Sequence, residues 1–131
     1  MKYLLDTSVL IQSLISRTKL NSQALKLLGD RSSELYLSAV SSWEVTIKAG
    51  TGKLVLSERP AEFVTRAIQL MSLQPLDITH THALAVNELE NHHRDPFDRL
   101  LIAQARTEGM TILTDDAVFQ KYEVDQVYCG R

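Results

Sequence analysis

Apolar residues fall along this chain in two rhythms. Short unalternating runs, YLL at 3–5, LYLS at 35–38 and TIL at 111–113, have strand length and no polar-out positions, as strands buried on both faces require. A weaker run at 73–78 carries Pro75, and a last piece lies near Val127 and Tyr128. Between these runs, apolar residues recur at three- and four-residue steps, which predicts helices at about 7–16, 22–29, 40–50, 60–72, 79–89, 96–108 and 116–122. Gly29, Gly50 and Gly109 stand where C-terminal caps belong, and Pro60 and Pro96 where first turns belong. Strand–helix alternation of this kind predicts the α/β class: a parallel sheet of four to five short strands joined by crossover helices. No repeat, low-complexity tract or linker divides the sequence, so 1–131 is expected to form a single domain, with 50–60 as a loop.

Four acidic residues punctuate this pattern, each expected at a helix start: Asp6 in YLLDTSVL, Glu44 in SSWEVTIK, Asp98 in DPFDRLL and Asp116 in TILTDDAVF. Each has a structural explanation, because an acid in a first helical turn gains about 0.3–1 kcal/mol from the unpaired N–H groups there. Ser41 and Glu44 have capping-box spacing; Asp95 before Pro96 has the form of an N-cap, which places Asp98 at the third helical position. A second explanation comes from topology. In a parallel sheet, the loops leaving the carboxyl ends of the strands converge on one edge, so Asp6 and Asp116 are expected to face one crevice. Two unit charges about 4 Å apart repel by roughly 4 kcal/mol at an effective dielectric of about 20, more than a cap returns. A cluster of carboxylates therefore needs a cation, and all-oxygen donors select Mg2+ or Mn2+. On pattern alone, the metal site and four independent caps both stay open.

The ordered set DTSVL, SSWEVTIKAGTGKL, HHRDPFDRLLIAQA and ILTDDAVFQKY resembles the PIN-domain family, in particular the VapC-like toxins of bacterial type II toxin–antitoxin pairs. The likeness spans nearly the whole chain. It implies a three-layer α/β/α PIN-like fold and an Mg2+- or Mn2+-dependent endoribonuclease. Carried over by motif, the acidic positions of the family fall on Asp6, Glu44, Asp98 and Asp116; Asp95 and Asp115 are set aside as neighbours. Asp6 and Asp98 are then expected as direct ligands, Asp116 as a ligand of a second ion or through water, and Glu44 as a ligand or a group that orients and deprotonates water. Thr7, Ser8 and Thr114 are expected to hydrogen-bond the carboxylates or water, with helix capping as the alternative. The resemblance further implies an RNA substrate, a homodimer, and a small cognate antitoxin wrapping the active-site groove, with DNA reached only through that antitoxin. The class-crossing alternative is a catalytically silent PIN-like module that binds RNA or protein.

Composition qualifies this picture. Fourteen Lys plus Arg against sixteen Asp plus Glu leave a net charge of −2, so no global basic field advertises a nucleic-acid partner. Setting the four acids aside turns −2 into +2, which leaves room for local steering of RNA, and Lys48, Lys53, Arg94 and Arg99, near the acidic motifs, are candidates to meet its phosphates, Lys48, Arg94 and Arg99 foremost. Trp43 is expected in the core, as is the stripe Phe63, Ala67, Ile68 and Met71. The single cysteine, Cys129, and the absence of a leader or membrane span predict a cytoplasmic protein, mature from Met1 and without a membrane partner. GTGKL at 50–54 lacks the glycine spacing of a phosphate loop. His80, His82, His92 and His93 form no zinc pattern and are expected in capping and surface roles. DTSVL lacks the second aspartate of phosphatases that use an aspartyl nucleophile.

Overall fold

The computed structural model describes all of residues 1–131. Five strands, β1 (Lys2–Leu5), β2 (Glu34–Ser38), β3 (Gln74–Leu76), β4 (Thr111–Thr114) and β5 (Gln126–Tyr128), form one sheet in the order β3-β2-β1-β4-β5, and every pairing is parallel. Six helices connect them: α1 (Thr7–Ile15), α2 (Ser22–Gly29), α3 (Ala39–Gly50), α4 (Pro60–Met71), α5 (His80–Ala85) and α6 (Pro96–Glu108). The expected α/β class and parallel sheet are therefore present.

Successive strand side chains point to opposite faces, and here both faces are covered. Tyr3, Leu5, Leu35, Leu37 and Leu113 face one apolar layer with Val9, Leu10, Ala24, Val45, Phe63 and Ala67. Leu4 and Ile112 face the other, with Val40, Leu101, Ile102, Ala105 and Phe119. That is why the strand runs carry no alternation. The α4 stripe behaves as expected: Phe63 and Ala67 are buried, and Ile68 and Met71 pack against the same layer. Helix α3 contributes Val45 to one layer and Val40 to the other, so it straddles the sheet margin.

Several local expectations are corrected. Helix α3 is capped by Ser38, whose Oγ accepts from the Val40 N–H at 3.0 Å, so Ser41 and Glu44 form no capping box. Glu44 lies in the second turn. The left-handed caps fall at Gly109 (φ 68°), Gly52 (φ 78°) and Ser72 (φ 52°), whereas Gly29 and Gly50 are the last residues of their helices. The expected helix at 79–89 divides into α5 and a 3-10 turn, Val86–Glu88, and the one at 116–122 is a 3-10 turn, Ala117–Lys121. No helix is long and apolar enough to cross a membrane.

Candidate active site

Strand order brings the acids together. β1 and β4 are adjacent, so the residues that follow them, Asp6 and the pair Asp115–Asp116, emerge side by side; the Asp6 N–H donates to the Leu113 carbonyl at 2.9 Å and prolongs the ladder. Helix α3 delivers Glu44, and the first turn of α6 delivers Asp98. All four line one cleft of about 500 Å³, together with Asp95, Asp115, His93 and Lys48. A hollow of about 590 Å³ at the far end of α6 holds none of these groups.

Each acid is gripped in its own way. Asp6, 4% exposed, occupies the N-cap position of α1 without making the cap bond. Its Oδ2 instead accepts from Thr114 Oγ1 at 2.8 Å and from Ser8 Oγ at 3.1 Å. Glu44, 3% exposed, pairs through Oε2 with Lys48 Nζ at 2.5 Å. Asp98 meets His93 Nε2 at 2.9 Å through Oδ2. Thus Asp6, Glu44 and Asp98 are each held at one oxygen, and the other has no protein donor. Asp116 differs: Oδ1 accepts from the Val118 N–H at 2.9 Å and Oδ2 lies 3.2 Å from His93 Nε2. Thr114 joins the two ends by donating to Asp6 while accepting from the Asp116 N–H at 3.0 Å.

The electrostatics record the crowding. Burial pushes the Asp98 carboxyl up to about 9, and the Asp6, Asp95, Glu44 and Asp116 carboxylates add to the rise. Burial pushes Asp6 up to about 6; hydrogen bonds from Thr114 and Ser8 act against it, while Asp115 and Glu44 reinforce it. Lys48 would be lowered by burial, yet its hydrogen bond and attraction to Glu44 leave it above its ordinary value. Two buried side-chain atoms lack any partner, Glu44 Oε1 and Gln12 Oε1. An orphaned, nearly buried carboxylate oxygen costs roughly 1–3 kcal/mol or more, so the cleft has an unmet demand for a donor or cation. Hard oxygen donors on several carboxylates fit a divalent ion of the Mg2+ or Mn2+ type. His93, Asp98 and Asp116 alone bring ligand atoms within 4.8 Å of one another.

Several expected roles do not survive. Thr7 donates to Ser41 Oγ at 2.9 Å, tying α1 to α3, and reaches no carboxylate. Arg99 turns away from the cleft to the Glu90 and Val86 carbonyls and the Tyr122 hydroxyl. Arg94 and Lys53 are exposed and outside the cleft lining. Trp43 is 54% exposed, not core: Val40, Ser41, Glu44 and Val45 take the inward stripe of α3. It stands edge-on against Phe97 at 4.9 Å, bracing the two helices that carry Glu44 and Asp98. Asp115 is no bystander, since it accepts from Ser8 at 2.5 Å and Gln12 at 2.7 Å and lines the cleft. Ser8 has one hydroxyl proton for Asp6 and Asp115, so it serves one at a time.

Among sequence models of known families, that of the PIN domain matches residues 3–125. The chain belongs to the PIN domain family. No curated protein sequence matches it. Among solved structures, this PIN domain is similar to a chain of VapBC2 from Rickettsia felis bound to a promoter DNA fragment, with TM-score 0.75, 16% identity and 98% of both chains covered. It is similar to a chain of DNA-bound VapBC from Salmonella typhimurium, with TM-score 0.73, 16% identity and 98% of both chains covered. A chain of VapBC-5 from Mycobacterium tuberculosis, a member of the VapBC family of toxin–antitoxin systems, gives TM-score 0.61 at 18% identity, over 97% of this chain and 98% of that one.

Two members of the PIN-domain cleft were missed from sequence. His93 was set aside because no helical histidine spacing marks it; the signal available was its place two residues before the cap of α6. Asp115 stands beside Asp116 directly after a buried strand, and both line the cleft.

Proposed function

We propose that this PIN domain is a divalent-metal-dependent endoribonuclease acting in the cytoplasm as the toxin of a toxin–antitoxin pair. The observation that carries the reading is the set of carboxylates from four separate segments, Asp6, Glu44, Asp98 and Asp116, in one cleft with Glu44 Oε1 buried and unpaired. Asp6, Glu44 and Asp98, each with one oxygen free of protein donors, would hold Mg2+ or Mn2+ directly. Asp116, occupied at both oxygens, would act through water or at a second ion. When bound, the cation supplies Lewis acidity toward a phosphate oxygen and toward the water that attacks it. Thr114 and Ser8 orient Asp6, Lys48 fixes Glu44, and where Glu44 Oε1 does not ligate the cation it is placed to accept a proton from that water. No protein nucleophile is needed, and burial pushes the Cys129 thiol up to about 11, away from thiolate chemistry. Lys48 is the one Lys or Arg of the lining and the candidate contact for a backbone phosphate.

An RNA substrate, a cognate antitoxin and a homodimeric assembly belong to the same reading, with DNA engaged only through the antitoxin. The likeness to chains from VapBC complexes supports the partner. The test compares cleavage of a panel of structured RNAs by wild type, Asp6→Asn and Asp98→Asn, with Mg2+ or Mn2+ and with chelator. Expected is cleavage by wild type with metal and none by the variants. Equal cutting by all proteins, or none by wild type, overturns the reading; the second result points to the silent binding module.

A further inference from the structure

We infer that His93 is a positioning residue: its Nε2–H, fixed in that tautomer by the Asp95 backbone, orients the Asp116 carboxylate and stands against that of Asp98 without itself ligating the cation. This rests on the divalent-cation reading above.

Backbone and ring of His93 are both held. The His93 backbone N–H donates to the Tyr122 hydroxyl at 2.7 Å, which also receives the His92 backbone N–H at 3.1 Å and Arg99 Nη1 at 3.3 Å. The ring stands edge-on to Phe119 at 6.1 Å. Its Nδ1 accepts from the Asp95 N–H at 3.1 Å. An accepting nitrogen carries no proton, and a neutral imidazole has only one, so the proton is on Nε2. That N–H is hydrogen-bonded to Asp116 Oδ2 at 3.2 Å, and Asp98 Oδ2 lies 2.9 Å from the same nitrogen.

The competing arrangement is a cation ligated by His93, Asp98 and Asp116, whose ligand atoms are close enough for it. Ligation through Nε2 requires the ring proton to move to Nδ1, where it would confront the Asp95 N–H, donor against donor. The backbone of Asp95 thereby selects the outer role. By occupying Oδ2 of Asp116, the Nε2–H completes the coverage begun by the Val118 N–H, and the same nitrogen stands against Oδ2 of Asp98, whose Oδ1 has no protein donor. Arg99, an expected RNA contact, acts here by securing the same loop through Tyr122.

The test has three readouts, none of them turnover. Nitrogen-15 NMR of the metal-free wild type reports the tautomer, and pulsed EPR of the Mn2+-loaded wild type reports whether nitrogen is coordinated. Mn2+ titration compares wild type with His93→Gln, which keeps a donor at the Nε2 position, and His93→Phe, which fills the space without one. Expected are a protonated Nε2, no coordinated nitrogen, near-native Mn2+ affinity for His93→Gln, and a loss of about 10–100-fold for His93→Phe. A coordinated nitrogen, a proton on Nδ1, or native affinity in His93→Phe overturns the inference alone. A wild type that takes up no Mn2+ overturns the cation reading and the inference with it.

Discussion

Loading the cleft with metal at pH 7.5 should expel a proton. With Asp98 pushed up to about 9 and Asp6 to about 6, the metal-free protein at that pH keeps a proton on Asp98 and almost none on Asp6. Ligation requires the carboxylate, so about one proton leaves per binding event. The number changes with pH in a defined way: toward about two near pH 5, where Asp6 is also protonated, and toward zero above pH 9. Calorimetric titration of Mn2+ in two buffers of contrasting ionisation enthalpy, such as Pipes and Tris, reads the number from the difference in apparent heat. Asp98→Asn should abolish the release at pH 7.5. A release of zero in wild type at that pH, or one constant between pH 6 and 9, would refute the reasoning.

The same shifts bear on stability in the metal-free protein. Both folded-state values lie above the ordinary 3.8, so the native state binds more protons than the unfolded chain between about 4 and 6 for Asp6 and between about 4 and 9 for Asp98. Their contribution is fully present below pH 4 and is lost as pH rises through each folded value. The melting temperature gained on adding Mg2+ should therefore be larger at pH 8.5 than at pH 5.5.

Two further outcomes separate neighbouring roles. Asp95→Ala removes the cap bond from the Phe97 N–H to Asp95 Oδ1, at 2.9 Å, and should cost about 0.5–2 kcal/mol in denaturant unfolding while Mn2+ uptake persists, because the backbone N–H that fixes His93 remains. Lys48→Ala strips Glu44 of its one partner and should lower metal-free stability by roughly 1–3 kcal/mol, with the loss reversed by Mg2+; a loss that persists in saturating Mg2+ would show that Lys48 serves packing instead.

Much of the fold was legible because burial on both faces leaves a direct mark on the sequence. Tyr3 and Leu5 belong to one layer and Leu4 to the other, so the run YLL had to be apolar throughout. The weak signal at 73–78 also has a cause. β3 is an edge strand that pairs only with β2, and an edge tolerates Pro75, which has no N–H to donate. Helix length was less legible: periodicity does not distinguish a 3-10 turn such as Ala117–Lys121 from a short α-helix. Asp6, Asp98 and Asp116 were visible because strand ends and helix starts locate them, and Glu44, in the second turn of α3, through the family motif alone, but their partners were not. His93 reaches Asp98 and Asp116 from the loop before α6, and the path of a loop leaves no period. Trp43, expected in the core as a large aromatic at the start of an amphipathic helix, faces outward because the polar residues Ser41 and Glu44 share the inward stripe of α3 with Val40 and Val45.

The distribution of cap bonds weighs against four independent caps, one of the two explanations that the sequence left open. Were the acids independent caps, each would bond the N–H groups of its own helix. Asp95 does so, and Asp116 does so at one oxygen. Asp6 stands at the N-cap of α1 and makes no such bond, turning to Thr114 across the sheet edge instead. Glu44 is buried in the second turn of α3, beyond the reach of the first-turn dipole. Asp98 spends its contact on His93 rather than on a backbone N–H, in surroundings that hold it protonated up to about 9. Folding thus places Asp6, Glu44 and Asp98 where each costs stability and caps nothing. All three keep an oxygen free in the same cleft, the arrangement that a cation would reverse from repulsion to attraction.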